Sequence, residues 1–186
     1  MKKCSLLIIS VIFFLCCVSF AFAEEAPQKI KDLAQTKLAA VGKEPVIVAA
    51  VKAENAKGKS LDQIKRMDEK WRNTPGLADY MKVLMESECA RFIRNIQSSA
   101  PYFSEIFVMD NQGANVAMTD KTSDYWQGDE AKFQKSFNGG AGAVFVDEVK
   151  FDESSQAYLV QVSVPVWDDG QVIGAITFGL DVDKVD

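Results

Sequence analysis

Residues 157–167 and 171–181 alternate in side-chain character at every second position, and Asp168-Asp169-Gly170 joins them. Alternation with period two sends successive side chains to opposite faces of a strand. Asp-Gly tolerates the backbone angles of a tight reversal, so this stretch predicts a long antiparallel hairpin. One face carries Tyr158, Val160, Val162, Val164 and Val166, then Val172, Gly174, Ile176, Phe178 and Leu180, and reads as core. The opposite face carries Leu159, Gln161, Ser163, Pro165 and Trp167, then Gln171, Ile173, Ala175, Thr177, Gly179 and Asp181, smaller and partly polar. If helices cover the Val/Ile/Phe side, the other side is either a wet outer surface or the floor of a polar cavity.

More strands precede this hairpin. Residues 105–109 form an apolar run, Asp110-Asn111-Gln112-Gly113 is turn chemistry, and residues 115–119 return. A polar, aromatic loop at 120–128 leads into a short helix at 129–137 with acidic residues at its start, and Gly139-Gly140 stops it. Residues 143–151 make a further strand. The expectation is a five-stranded antiparallel sheet with one inserted helix.

Residues 24–100 read as helices. A helix over 26–41 has Ile30, Leu33, Leu38 and Val41 near helical spacing and Gly42 as a stop. Pro45 opens another over 46–56. Ser60 with Gln63 three residues on is a capping box, opening a helix to about Arg72. Leu77, Met81, Met85, Cys89, Phe92 and Ile96 form one apolar stripe, predicting a single five-turn helix over 77–97. Cys89 lies in that stripe and is expected to be a buried, inert thiol.

The chain begins with Lys2 and Lys3, an apolar run over 6–20 and Ala21-Phe22-Ala23, a secretory signal cut before Glu24. An uncleaved anchor, or lipidation at Cys16 or Cys17, is less favoured, since Phe14 and Leu15 are too bulky for the lipidation pattern. The expected location is therefore periplasmic or secreted. Cleavage leaves Cys89 as the one thiol, so no internal disulfide is expected. The expected organisation is a signal peptide over 1–23, a helical segment over 24–100 and the sheet over 101–186 of one α+β domain.

The sequence contains no His, which removes every mechanism that needs an imidazole. No nucleophile elbow, P-loop or glycine fingerprint is present, so no catalysis, cofactor or metal is expected. With a net charge of −5 and no basic run, nucleic acid is not an expected partner. Residues 24–100 carry 14 Lys and Arg against 11 Asp and Glu, while 101–186 carry 5 against 15.

Two segments, FVMDNQGANVAMT at 107–119 and SVPVWDDGQVIG at 163–174, resemble the first and closing hairpins of the Cache domains, the PAS-like extracytoplasmic sensor modules also called PDC domains. The resemblance spans 104–183, with the helices in front consistent with it. It implies a small-molecule pocket between sheet and loop, binding an organic metabolite. Within the loop, Tyr125 and Trp126 are the candidate lining rings. Asp124 and Asp120 could pair with a ligand ammonium or cap the following helix. Asp147, Tyr158, Gln161, Ser163 and Thr177 are the candidates on strands. Of the basic residues, Lys121 could take a carboxylate, while Arg91 and Arg94, opposite the apolar stripe, are expected to be solvated. The acidic sheet half favours a ligand with an amine, such as an amino acid or polyamine, over a dicarboxylate.

No second apolar span follows the sheet, so a separate membrane sensor or receptor is the expected partner. Relatives suggest a homodimer through the N-terminal helices. The competing reading is a structural or regulatory protein-interaction module with no small ligand.

Overall fold

A computed structural model describes residues 24–153 and 156–185 of the 186. The expected signal peptide at 1–23 lies outside the described residues. Helices α1 (Gln28–Leu33) and α2 (Ala39–Val41) are the two ends of the helix expected over 26–41, linked by π-helical turns at Ala34–Leu38. Helix α3 (Pro45–Asn55) has proline at its first turn, where the missing N–H costs nothing. Helix α4 (Leu61–Arg72) opens on the expected capping box: Gln63 N donates to Ser60 Oγ (3.3 Å) and Ser60 N to Gln63 Oε1 (2.8 Å).

The five-turn helix expected over 77–97 is instead two, α5 (Asp79–Glu86) and α6 (Glu88–Gln97). Ser87 breaks it. Its backbone is extended (φ −61°, ψ 164°) and its Oγ accepts from Ala90 N at 3.0 Å, capping α6. The stripe accordingly changes: Met81, Cys89, Ala90 and Ile93 are buried, while Leu77 is exposed.

Strands β1 (Phe103–Met109), β2 (Asn115–Met118), β3 (Phe145–Val146), β4 (Lys150–Asp152), β5 (Ala157–Asp168) and β6 (Gln171–Asp181) form one antiparallel sheet. Its order is β2-β1-β6-β5-β3, with β4 also paired to β5. The run at 143–151 is thus two short strands rather than one, giving six strands instead of five. Helix α7 (Ala131–Phe137) is inserted after β2. The α+β class expected from sequence is the class observed.

Each face of the sheet has its own core. On one, Val160, Val162, Val164, Ile176, Phe178 and Leu180 pack against Ile30 and Leu38 of the first helical stretch, Ile47 and Val51 of α3, and Ile93 of α6. On the other, Phe107, Met109 and Ala175 pack with Phe133 of α7, Tyr125, and Ile64 and Trp71 of α4. Each of the Val, Leu, Ile, Phe and Met side chains among these stabilises the fold by about 1.5–3 kcal/mol through its burial. Among the described residues no helix is long and apolar enough to cross a membrane.

Candidate functional site

On the second face the strand registers align three rows of side chains. Glu105, Gly179 and Gln161 make one, Phe107, Thr177 and Ser163 the next, and Met109, Ala175 and Pro165 the third. The middle row is filled. Ser163 and Thr177 are fully buried and their hydroxyls share a hydrogen bond of 2.8 Å.

The first row is open. A cavity of about 230 Å³ lies over Glu105 and Gln161, bounded by Phe107, Thr122, Ser123 and Gln127, with Lys121, Lys132 and Asp152 at its edges. Gln161 Nε2 donates to Glu105 Oε1 at 3.4 Å. Glycine at 179 makes this contact possible: a Cβ there would stand 2.8 Å from Glu105 Cγ. Burial holds the Glu105 carboxyl above the ordinary carboxylate range, with Asp152 and Asp120 pushing the same way against the pull of Lys132 and the Gln161 amide. Lys132 reaches in from α7 with its ammonium 5.5 Å from the Phe107 ring centre. Lys121 is committed elsewhere, donating to Thr74 O and Gly76 O at 2.9 Å each. The cavity therefore offers a carboxyl and an ammonium group together with hydroxyls and amides in its lining.

The roof is the loop between β2 and α7, and it is held from outside. Asp68 of α4 is buried, and its Oδ1 accepts from Tyr125 N (2.9 Å) and Trp126 N (3.1 Å). Its Oδ2 is 3.1 Å from Arg72 Nε. Trp71 Nε1 donates to Thr122 O (2.8 Å) and Trp126 Nε1 to Gln112 O (2.7 Å). Gln127 N donates to Gly113 O at 2.7 Å, where a Cβ on Gly113 would meet Gly128 Cα at 2.5 Å. The hairpin turn and the loop are packed backbone to backbone.

Of the residues singled out from sequence, Gln161 and, at its edge, Lys121 line this cavity. The Tyr125 ring faces the opposite side of the loop, its hydroxyl accepting from Lys59 Nζ at 2.7 Å. Burial pushes its phenol up against the opposing pull of Lys59. Trp126 and Asp124 border a different, charged hollow with Lys65, Asp68 and Arg72. Asp120 accepts from Gln97 Nε2 at 3.1 Å, tying the loop to α6. Asp147 pairs with Lys150 at 2.7 Å. Tyr158 is exposed and stands edge-on to Phe151. Glu105 and Lys132 were not singled out from sequence. Glu105 carries a usable signal, a lone carboxylate on the same face of β1 as Phe107 and Met109; Lys132 carries none. Cys89 is buried and its thiol is pushed up to about 12 by burial, with Glu88 adding to it, as expected for an inert side chain. Among the described residues no cluster of acids and thiols could hold a metal ion.

These elements define a helix-covered antiparallel sheet with a roofed polar cavity on one face. No family model matches the chain, and no curated protein matches it significantly. Solved structures similar to it include the sensor domain of the Vibrio cholerae histidine kinase DctB, at 11% identity over 85% of this chain and 55% of that one, TM-score 0.38. The sensory domain of the Campylobacter jejuni chemoreceptor Tlp3 matches at 12% identity over 85% and 64%, TM-score 0.41. The ligand-binding domain of the Pseudomonas aeruginosa PAO1 amino acid chemoreceptor PctC, in complex with GABA, matches at 11% identity over 85% and 61%, TM-score 0.40. This chain spans 55 to 64% of the length of these structures.

Proposed function

We propose that the chain is a small-molecule sensor module whose ligand occupies the cavity over Glu105 and Gln161. The observation that carries this reading is the pairing of Glu105 with Lys132 around one roofed, polar space, which favours a zwitterion. A ligand ammonium takes the Glu105 carboxylate and the Gln161 carbonyl oxygen, and a ligand carboxylate takes Lys132 and the Thr122, Ser123 and Gln127 side chains. A dicarboxylate would bring a second like charge beside Glu105, and a polyamine would leave Lys132 facing a cation; each juxtaposition is unfavourable in a partly dry site. Amino acids are the simplest molecules of this type. Tyr125, Trp126 and Asp124 act on the ligand through the loop they anchor, and Asp120 through its tie to α6. Ser163 and Thr177 support the floor from beneath α7, while Asp147 and Tyr158 stand outside the ligand's reach.

The leader-like residues 1–23 support export, and the bound state is reported through a separate membrane protein that recognises the closed loop. A thermal-shift panel of amino acids, amines and dicarboxylates tests the ligand class. Stabilisation by one or more amino acids is expected. Stabilisation by dicarboxylates alone would contradict the assignment of charges, and no stabilisation by any of them would favour a protein-interaction module.

A further inference from the structure

A second hollow, of about 340 Å³, lies on the outer side of the loop and shares no lining residue with the polar cavity. Its volume falls within the range of small-molecule sites, about 300–1,000 Å³. Most of its wall is apolar or aromatic: Ile64, Met67 and Trp71 of α4, with Tyr80, Val83 and Leu84 of α5. Trp71 meets Tyr80 edge-on at 6.1 Å between ring centres and Tyr125 at a tilt at 5.8 Å, so the rings form a corner rather than a filled stack. One end is polar. Glu54, Lys57, Lys59 and the Tyr125 hydroxyl converge there, two ammonium groups against one carboxylate.

These groups leave unspent donors. Lys59 gives hydrogen bonds to Glu54 and to the Tyr125 oxygen, which leaves one of its three protons. Among the described residues the Tyr125 hydroxyl accepts that bond and gives none in return. The lining of the polar end thus carries two ammonium groups against one carboxylate, with the buried Asp110 behind it, and has free donors on Lys57, Lys59 and Tyr125 beside walls that reject polar groups. We propose that this hollow is a second binding site, for a small monocarboxylic acid with a ring-sized apolar body. The carboxylate meets Lys57, Lys59 and the Tyr125 hydroxyl, and the body lies in the Trp71–Tyr80–Tyr125 corner. An amine of the same shape would meet two ammonium groups and is excluded by charge.

Occupancy here reaches the polar cavity by a short route. Tyr125 belongs to the roofing loop, and Trp71, in the wall of this hollow, holds the carbonyl of Thr122, which lines the cavity. An acid that packs on Trp71 and Tyr125 stabilises the loop's closed position. The inference stands on this hollow alone, whatever occupies the polar cavity.

The test titrates the full chain with phenylacetate and, separately, with 2-phenylethylamine, following heat of binding and amide exchange of residues 120–128. Saturable phenylacetate binding is expected, with at least a tenfold preference over the amine and slowed exchange in the loop. Lys59→Met removes one donor. Val83→Glu places a like charge at the rim on a side chain that is 67% exposed, so its fold is expected to be unchanged. Each is expected to weaken phenylacetate at least tenfold. No phenylacetate binding, equal binding of the amine, or undiminished binding in both variants would overturn the site. Unchanged loop exchange at saturation would overturn its link to the cavity.

Discussion

Glu105 and Gln161 stand on strands that are not neighbours, yet their side chains meet at 3.4 Å because β6 places Gly179 between them. A side chain at 179 would occupy the space through which the carboxylate leans, so the bare backbone there is what gives the cavity its acidic floor.

Gly179→Ala tests that relationship. The added methyl would sit 2.8 Å from Glu105 Cγ, a flexible atom that can turn aside. The alanine also lowers the entropy of the unfolded chain, a gain of about 0.4–1 kcal/mol that offsets the crowding. The melting temperature is therefore expected to move by only a few degrees, while affinity for the amino acid ligand falls about tenfold, an effect of about 1.4 kcal/mol. Calorimetric titration beside a melting curve checks both.

Asp68 is the clamp on the loop, accepting from Tyr125 N and Trp126 N. Asp68→Ala strands two N–H groups at the base of the roof, each costing about 1–3 kcal/mol where it stays dry. The loop is expected to relieve that cost by opening. Hydrogen exchange at Tyr125 and Trp126 should quicken at least tenfold, while amides of β5 and β6 keep their protection.

Gly113 has φ +84°, and a Cβ on it would meet Gly128 Cα at 2.5 Å, backbone against backbone. Neither partner can turn aside. Gly113→Ala combines left-handed strain of about 1–2 kcal/mol with that overlap. A denaturant midpoint well below that of the wild type is expected, together with loss of the Trp126–Gln112 contact.

Glu105 makes stability depend on pH with a definite sign. Its folded-state carboxyl is held above the ordinary range by burial, so the folded protein binds the proton more tightly than the unfolded chain. The destabilisation is complete once the pH exceeds that raised value and vanishes below the ordinary carboxylate pKa of about 4.3. Glu105→Gln is accordingly expected to melt above the wild type near neutral pH, with the advantage shrinking towards zero as the pH falls to about 4. Melting curves of both proteins across that range decide it.

Much of the architecture was legible because its signals are local. The 157–181 hairpin follows from period-two alternation and Asp-Asp-Gly, and the start of α4 from Ser60 and Gln63. The break at Ser87 also has a local signal, a serine ahead of Glu88 and Cys89, but the apolar stripe on either side hides it. The site was less legible. Tyr125 and Trp126 mark a loop that matters, yet which hollow each ring faces depends on where α4 and α5 dock, and no local pattern encodes that. Lys132 reaches the cavity because α7 folds back over β5 and β6. Glu105 could have been found by reading β1 for face: it alternates with Phe107 and Met109, and a carboxylate in such a row is costly unless something meets it.

The most direct measurement titrates the wild type and Glu105→Gln in parallel with the amino acid that stabilises the protein most. Saturable binding to the wild type, lost or weakened at least tenfold in a variant that melts no lower, is the result expected. Equal affinity in the two proteins would contradict the placement of the ligand over Glu105.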